Sequence, residues 1–246
     1  MTEADPETSL TFAKGLAVLR AFDAGGKGMT MADLARKLNY TRATTRRLVR
    51  TLETLGYVTV DNALYMPTPQ TLKLGLGFLQ SRSVGQLIGP VLREESVVLG
   101  EPISLALLSG PELIYVVHAP TSAEIETAGY TIGSSLPLAT TAMGQATLAF
   151  RAADDVPSSS CGLSMPDRQA LAPVLATIRA RGFAHMTNAD DRGFCAIAVP
   201  AFGLKTDDAV GALGIVYPDG QYDMDHLLGV IVPNLQKCAR YIATAL

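Results

Sequence analysis

The sequence predicts an α+β chain in two parts: a small helical head closed by a β-hairpin, and a larger body of strands and helices around a mainly antiparallel sheet. Three observations predict it. In the first 55 residues, apolar side chains recur at helical spacing, and a short β-rich pair follows them. From Glu101 onward, short runs of strand formers are separated or followed by helical stretches. Charge divides the same way, since residues 10–60 hold nine Lys or Arg against three acidic residues, whereas residues 61–246 hold eleven against seventeen.

Phe12, Leu16, Leu19 and Phe22 mark the first helix, which Gly25, Gly26 and Gly28 stop. Thr30 stands before Met31, Leu34, Ala35 and Leu38, with Asp33 three positions on as an acidic variant of the capping box; this second helix ends near Asn39. Thr41 is placed to cap a third helix running to about Leu55, whose Leu48, Leu52 and Leu55 form one narrow apolar stripe before Gly56 closes it. Residues 57–60 and 64–66 then flank Asp61 and Asn62 as a tight hairpin. Three helices and a hairpin predict a winged helix-turn-helix over residues 1–68.

Beyond Pro67 and Pro69, the apolar Leu72, Leu74, Leu76, Phe78 and Leu79 predict a helix that carries Gly75 and Gly77. A second helix follows over residues 86–99, keeping an amphipathic period around Pro90, so that residues 69–100 form a helical linker. In the body, residues 101–246, strands are expected at 103–108, 113–118, 124–130, 196–201 and 210–217, and helices at 141–150, 167–181 and 223–244. A sheet of this kind leaves one face free for a ligand.

At 48% apolar and 17% charged residues, the chain can fill a core and does not suit disorder. No apolar run reaches the length needed to cross a bilayer, and the opening MTEADPETS is acidic, which is no secretory leader; a cytoplasmic protein without membrane contact is expected. Cys161, Cys195 and Cys238 are widely spaced and suggest neither a disulfide framework nor a thiolate metal site. His118, His185 and His226 sit alone, which argues a structural or surface role and no metal. With no GxSxG elbow, phosphate loop or dinucleotide fingerprint, catalysis has no support, and no cofactor is expected.

The third helix carries the chemistry of the head. Arg42, Arg46 and Arg50 recur every four residues, with Arg47 on the adjoining arc, opposite the leucines. A helix-turn-helix sets the N-terminal half of this helix in the major groove of double-stranded DNA, where Arg binds guanine through two hydrogen bonds and small groups meet thymine. Arg42 and Arg46 are therefore assigned to bases or groove, Ala43 and the methyl of Thr45 to thymine, and Arg50 with Lys37 to phosphates. Thr41 and Arg47 complete the set, while Thr44 borders the apolar stripe. A run of arginines also serves as plain solvated surface. What favours DNA is the winged module in a chain whose remaining charge is acidic.

The stretches FAKGLAVLRAFDA and MTMADLARKLNYTRATTRRLVRTLETLGYV resemble the DNA-binding domain of the IclR regulators, especially the branch controlling aromatic acid catabolism through the β-ketoadipate pathway. GSSLPLATTAMGQATLAF resembles the start of that family's effector domain, and GFCAIAVP with VGALGIVYP its last strands. The resemblance implies a GAF-like effector domain, dimers or dimers of dimers, a palindromic operator and control of a catabolic operon. Two departures stand out: residues 151–166 are shorter than in the family, and Gly214 and Val216 stand where the family often has hydroxyl side chains.

A small organic acid is the expected effector, bound where LPLATTAMG turns into a helix. Pro137 gives an extended approach, Thr140 and Thr141 provide the cap, and the free amides of Ala142, Met143 and Gly144 attract an anion. By the same resemblance the rest of the wall comes from Phe194, Ala196, Gly214 and Val216, apolar groups that suit a ring or an aliphatic chain. The alternative is that Thr141 merely caps the helix, the apolar residues fill the core, and the second domain serves only oligomerisation.

Overall fold

The computed structural model describes residues 7–22, 28–81, 84–121, 131–151, 165–187, 189, 193–204 and 206–246. The chain divides into two compact units, Met1–Phe78 and Leu79–Leu246.

In the first unit, Ser9 caps α1 (Leu10–Ala21) by accepting the Phe12 amide. The capping box at α2 (Met31–Leu38) is present: the Thr30 hydroxyl accepts the Asp33 amide at 3.2 Å and donates to its carboxylate at 2.6 Å. Thr41 in turn caps α3 (Arg42–Thr54), accepting the Thr44 amide at 3.2 Å. Strands β1 (Val58–Asp61) and β2 (Leu64–Pro67) pair antiparallel, so the turn is Asn62–Ala63, one residue later than expected. Both turn residues have positive φ, 47° and 64°, the hairpin geometry that matches strand twist. Met29 exchanges two backbone hydrogen bonds with Tyr65, tying the hairpin to the start of α2.

Val18, Ala21, Leu34, Leu48, Val49, Leu52 and Val58 form this unit's core. The expected apolar stripes are rotated on two helices. α1 buries Val18 and Ala21, leaving Phe12 and Leu16 exposed. On α3 the buried arc is Thr45, Leu48, Val49 and Leu52, while Leu55 ends the helix and is exposed.

The stretch expected as a linker divides between the units. A 3₁₀ turn (Pro69–Thr71) leads into α4 (Leu72–Ser81), inside which the unit boundary falls. A π turn (Val84–Ile88) then enters α5 (Gly89–Leu99), and Val84, Ile88, Leu92 and Leu99 all lie in the second unit's core. The wide turn has a local cause, because Pro90 lacks an N–H and its ring crowds the carbonyl four residues earlier. Pro233 follows another π turn (Leu227–Ile231) in the same way.

The second unit is built on a six-stranded antiparallel sheet. In chain order its strands are β3 (Ile103–Ser109), β4 (Glu112–Ala119), β5 (Ser135–Pro137), β6 (Ala184–Met186), β7 (Phe194–Phe202) and β8 (Ala209–Pro218). Across the sheet they run β5-β4-β3-β8-β7-β6. β3, β4, β7 and β8 match expected strands, the short β5 and β6 are additional, and the strand expected at 124–130 lies outside the described residues. The expected helices correspond to α6 (Ala142–Ala149), to α7 (Met165–Arg181), and to α8 (Met224–His226) with α9 (Val232–Ile242).

Both faces of this sheet are covered, against the expectation of a free one. Leu105, Ile197, Val199, Leu213 and Ile215 pack on the side of α5 and α9. Alternate residues turn the other way: Ala106, Ala196, Ala198 and Ala212 meet α6 and Ile178 of α7. Alanines on that face let α6 approach closely. Among the described residues no helix is long and apolar enough to cross a membrane.

Candidate functional site

Two surfaces carry the residues singled out from the sequence, one in each unit. On α3, Thr41, Arg42, Ala43, Arg46, Arg47 and Arg50 are exposed together. Among the described residues, none of the four guanidinium groups has an acidic partner or an acceptor. The hairpin beside them carries no cation, and four of the nine cations of residues 10–60 stand on this one helix.

One assignment changes, that of Thr45. Thr45 is fully buried, and its hydroxyl donates to the Thr41 carbonyl at 3.1 Å, so its methyl is core and cannot meet a base. The helical period explains this, because Thr45 shares an arc with Leu48, Val49 and Leu52. Thr44, half exposed, lies nearer the open face; its hydroxyl accepts a hydrogen bond from Thr41. Lys37 is exposed, yet its ammonium donates to the Ala21 carbonyl at 2.8 Å, where it completes the C-terminal end of α1.

The second surface is a cavity of about 70 Å³ beside the start of α6. Seven of the expected residues line it: Thr140, Thr141, Ala142, Met143, Ala196, Gly214 and Val216. α6 is held at both ends. The Thr141 hydroxyl accepts the Gly144 amide at 3.1 Å and donates to the Pro137 carbonyl at 2.7 Å, and the Gln145 side chain donates to the Ala139 carbonyl at 2.8 Å. Arg179 of α7 donates to the Ala149 carbonyl, setting a cation at the negative end of the helix. Among the described residues, the amides of Ala142 and Met143 take no partner.

Gly144 and Phe194 are not in the wall. The Gly144 amide is taken by Thr141, and the residue packs against the Leu138 backbone. Phe194 lies two residues, about 7 Å of strand, before Ala196.

The wall also contains Ser104 and Tyr115, which the sequence did not single out, and His118, for which a structural or surface role is expected. Ser104 Oγ and His118 Nδ1 lie 2.9 Å apart, on residues paired directly across β3 and β4. Burial lowers the His118 pKa, favouring the neutral ring. A signal for the pair was present in the sequence: each is a polar residue inside an otherwise apolar strand. By contrast, His185 bonds the Tyr217 hydroxyl at 2.8 Å and His226 stacks on Tyr222. The described residues contain no cluster able to hold a metal ion. Cys195 is buried, as expected of a small strand residue, and Cys161 lies outside the described residues.

Residues 11–62 match the model of the IclR helix-turn-helix domain, and residues 76–244 match that of the bacterial transcriptional regulator IclR C-terminal domain. Over 246 residues the chain is 27% identical to the Pca regulon regulatory protein of Pseudomonas putida, covering 96% of this chain and 84% of that one. A solved transcriptional regulator from Rhodococcus sp. RHA1 aligns with a TM-score of 0.76 at 31% identity, over 97% of this chain and 98% of that one. An IclR homologue from Microbacterium hydrocarbonoxydans, solved in complex with 4-hydroxybenzoate, shares the fold with a TM-score of 0.78 at 19% identity, over 96% of this chain and 98% of that one. With both parts of the chain matched in order, it belongs to the IclR family of bacterial transcriptional regulators.

Proposed function

We propose that the chain is an effector-responsive regulator of a catabolic operon, reading a palindromic operator through α3 and binding a small organic acid beside α6. The carrying observation is the cavity, where the unpartnered amides of Ala142 and Met143 open a helix whose neighbours include Ala196 and Gly214. Helix starts favour anions, and the small apolar wall favours a carbon skeleton over a polyol.

Volume discriminates among the acids. The cavity of about 70 Å³ is roughly half the ~150 Å³ of an engineered apolar cavity that takes up benzene. A short-chain acid fits it as it stands. An aromatic acid needs the wall to yield, and the flexible thioether of Met143 is the part best able to do so. The Pca regulon name of the Pseudomonas relative and the 4-hydroxybenzoate complex of the Microbacterium homologue support an aromatic acid.

Each head offers one α3, and a single helix reads only a few base pairs, so two copies bind an inverted repeat. The test is a thermal-shift screen of short-chain and aromatic carboxylates, followed by operator anisotropy with those that bind. A binding acid raises the melting temperature with concentration and changes operator affinity. Should every acid leave both unchanged, the second domain serves assembly alone. Met143→Arg should abolish a confirmed response by filling the cavity.

A further inference from the structure

We propose that Ser104 and His118 form a hydroxyl-recognising end of this cavity, so that its effector is a hydroxycarboxylate rather than a plain carboxylate. The inference rests on reading the cavity as the effector site and goes on to name the class of molecule it selects.

Paired residues in an antiparallel sheet point to the same face, and His118, Ser104, Gly214 and Ala198 form one continuous row across β4, β3, β8 and β7. Ala198 belongs to the core on the α6 side, and the flanking Ile103 and Leu105 turn to the opposite core. The row therefore faces α6. It sets a polar pair in a wall that is otherwise mostly apolar, with Tyr115, Thr140 and Thr141 as its other side chains bearing a hydroxyl. Ser104 is only 7% exposed. A buried hydroxyl in an apolar strand is costly unless partnered, and the pair's position in the cavity wall gives it a second use beyond partnering itself.

Hydrogen-bond arithmetic then selects the group. In the neutral imidazole one ring nitrogen donates and the other accepts. If Ser104 donates to Nδ1, its oxygen is left to accept from a ligand; if Nδ1–H donates to Ser104, the hydroxyl proton is left to donate. A ligand hydroxyl is both donor and acceptor and satisfies either arrangement. A carboxylate satisfies only the second, and it has a better position at the opening amides of α6. Burial, which disfavours the charged ring, keeps the choice between these two neutral forms. Two kinds of polar group in one small cavity call for two functions on one small molecule, an acid and an alcohol or phenol.

Matched pairs of acids test this: benzoate against its ortho, meta and para hydroxy isomers, and propionate against lactate. Dissociation constants are measured by calorimetry on the full chain, for the wild type, Ser104→Ala and His118→Gln. In the wild type, at least one hydroxy acid is expected to bind about tenfold or more tighter than its plain partner, the range of one buried hydrogen bond. Ser104→Ala should bring that ratio close to one, and His118→Gln should lower the ratio partly. A merely structural pair would weaken plain and hydroxy acids alike and leave the ratio intact. Equal binding of plain and hydroxy acids in the wild type, or a preference that survives both substitutions, overturns the proposal while the effector reading stands. Absence of binding by every acid overturns both.

Discussion

Gly144 of α6 lies so close to Leu138 that a Cβ on the glycine would stand 2.5 Å from the Leu138 Cα and nearer still to its carbonyl oxygen. Backbone cannot move aside as a side-chain tip can. Gly144→Ala is therefore expected to destabilise the second unit by at least about 1–3 kcal/mol, the usual penalty of overpacking. The same substitution at Gly75 of α4 meets nothing within 4 Å and should stabilise its helix, by up to about 1 kcal/mol. Urea melts of the two variants should move in opposite directions. Equal shifts would show that the close approach at Leu138 has no energetic weight.

Arg46→Ala is expected to weaken specific operator binding by about 1–3 kcal/mol, the worth of a bidentate contact to a base. Arg50→Ala should act differently, lowering affinity for all sequences and reducing the slope of log affinity against log salt by about one. Without DNA, either change should leave the fold slightly more stable, because like charges four residues apart repel by about 0.2–0.5 kcal/mol. Anisotropy with operator and scrambled duplexes over a salt series separates the roles. A loss at Arg46 that is identical on both duplexes would move it from reading bases to meeting phosphates.

In the hairpin turn, Ala63 holds φ at 64°. A non-glycine residue in that region costs about 1–2 kcal/mol, which glycine avoids. Ala63→Gly is expected to recover about 1 kcal/mol of that, less the entropy glycine loses on folding. The readout is amide exchange across β1 and β2, which should slow in the variant. Faster exchange there would mean that the turn is unstrained in solution.

How far the sequence was legible follows from where its signals are local. Caps were readable because each needs only one hydroxyl and the amide three residues on, and Thr30, Thr41 and Thr141 all act as expected. The alternation of β7 and β8 was equally plain, and so was the arginine face of α3. What failed depended on neighbours distant in sequence. Thr45 looked polar enough for a surface until packing among Leu48, Val49 and Leu52 claimed it. His118 looked solitary because its partner, Ser104, is fourteen residues earlier on another strand, and only the register of β3 with β4 brings them together. Gly144 is the exception, a local miss: the cap expected at Thr141 takes the amide three residues on, which is that of Gly144 and so is not left for an anion. The face expected to stay free was covered by α6 and α7, elements correctly expected as helices whose packing no periodicity could place.

Glu101 is 2% exposed and accepts hydrogen bonds from the Tyr222 hydroxyl at 2.8 Å and the Gln221 side chain at 2.6 Å. Burial raises its carboxyl above the ordinary range, and the two donors only partly oppose that rise. Burial, with the carboxyl as its hydrogen-bonded neighbour, also pushes the Tyr222 hydroxyl up to about 12. Because its pKa is higher in the folded than in the unfolded chain, Glu101 contributes stability when protonated; that contribution is complete below the unfolded value and is lost as pH rises through the folded one. Glu101→Gln keeps the shape and one oxygen acceptor without the charge. It should therefore melt close to the wild type in acid and at a higher temperature once the wild-type carboxyl is ionised. Melting curves of both proteins from about pH 4 to about pH 8 are the measurement, with the gap between them opening as pH rises. A gap that stays constant across that range would place the ionised carboxylate in solvent contact and remove the cost assigned to its burial.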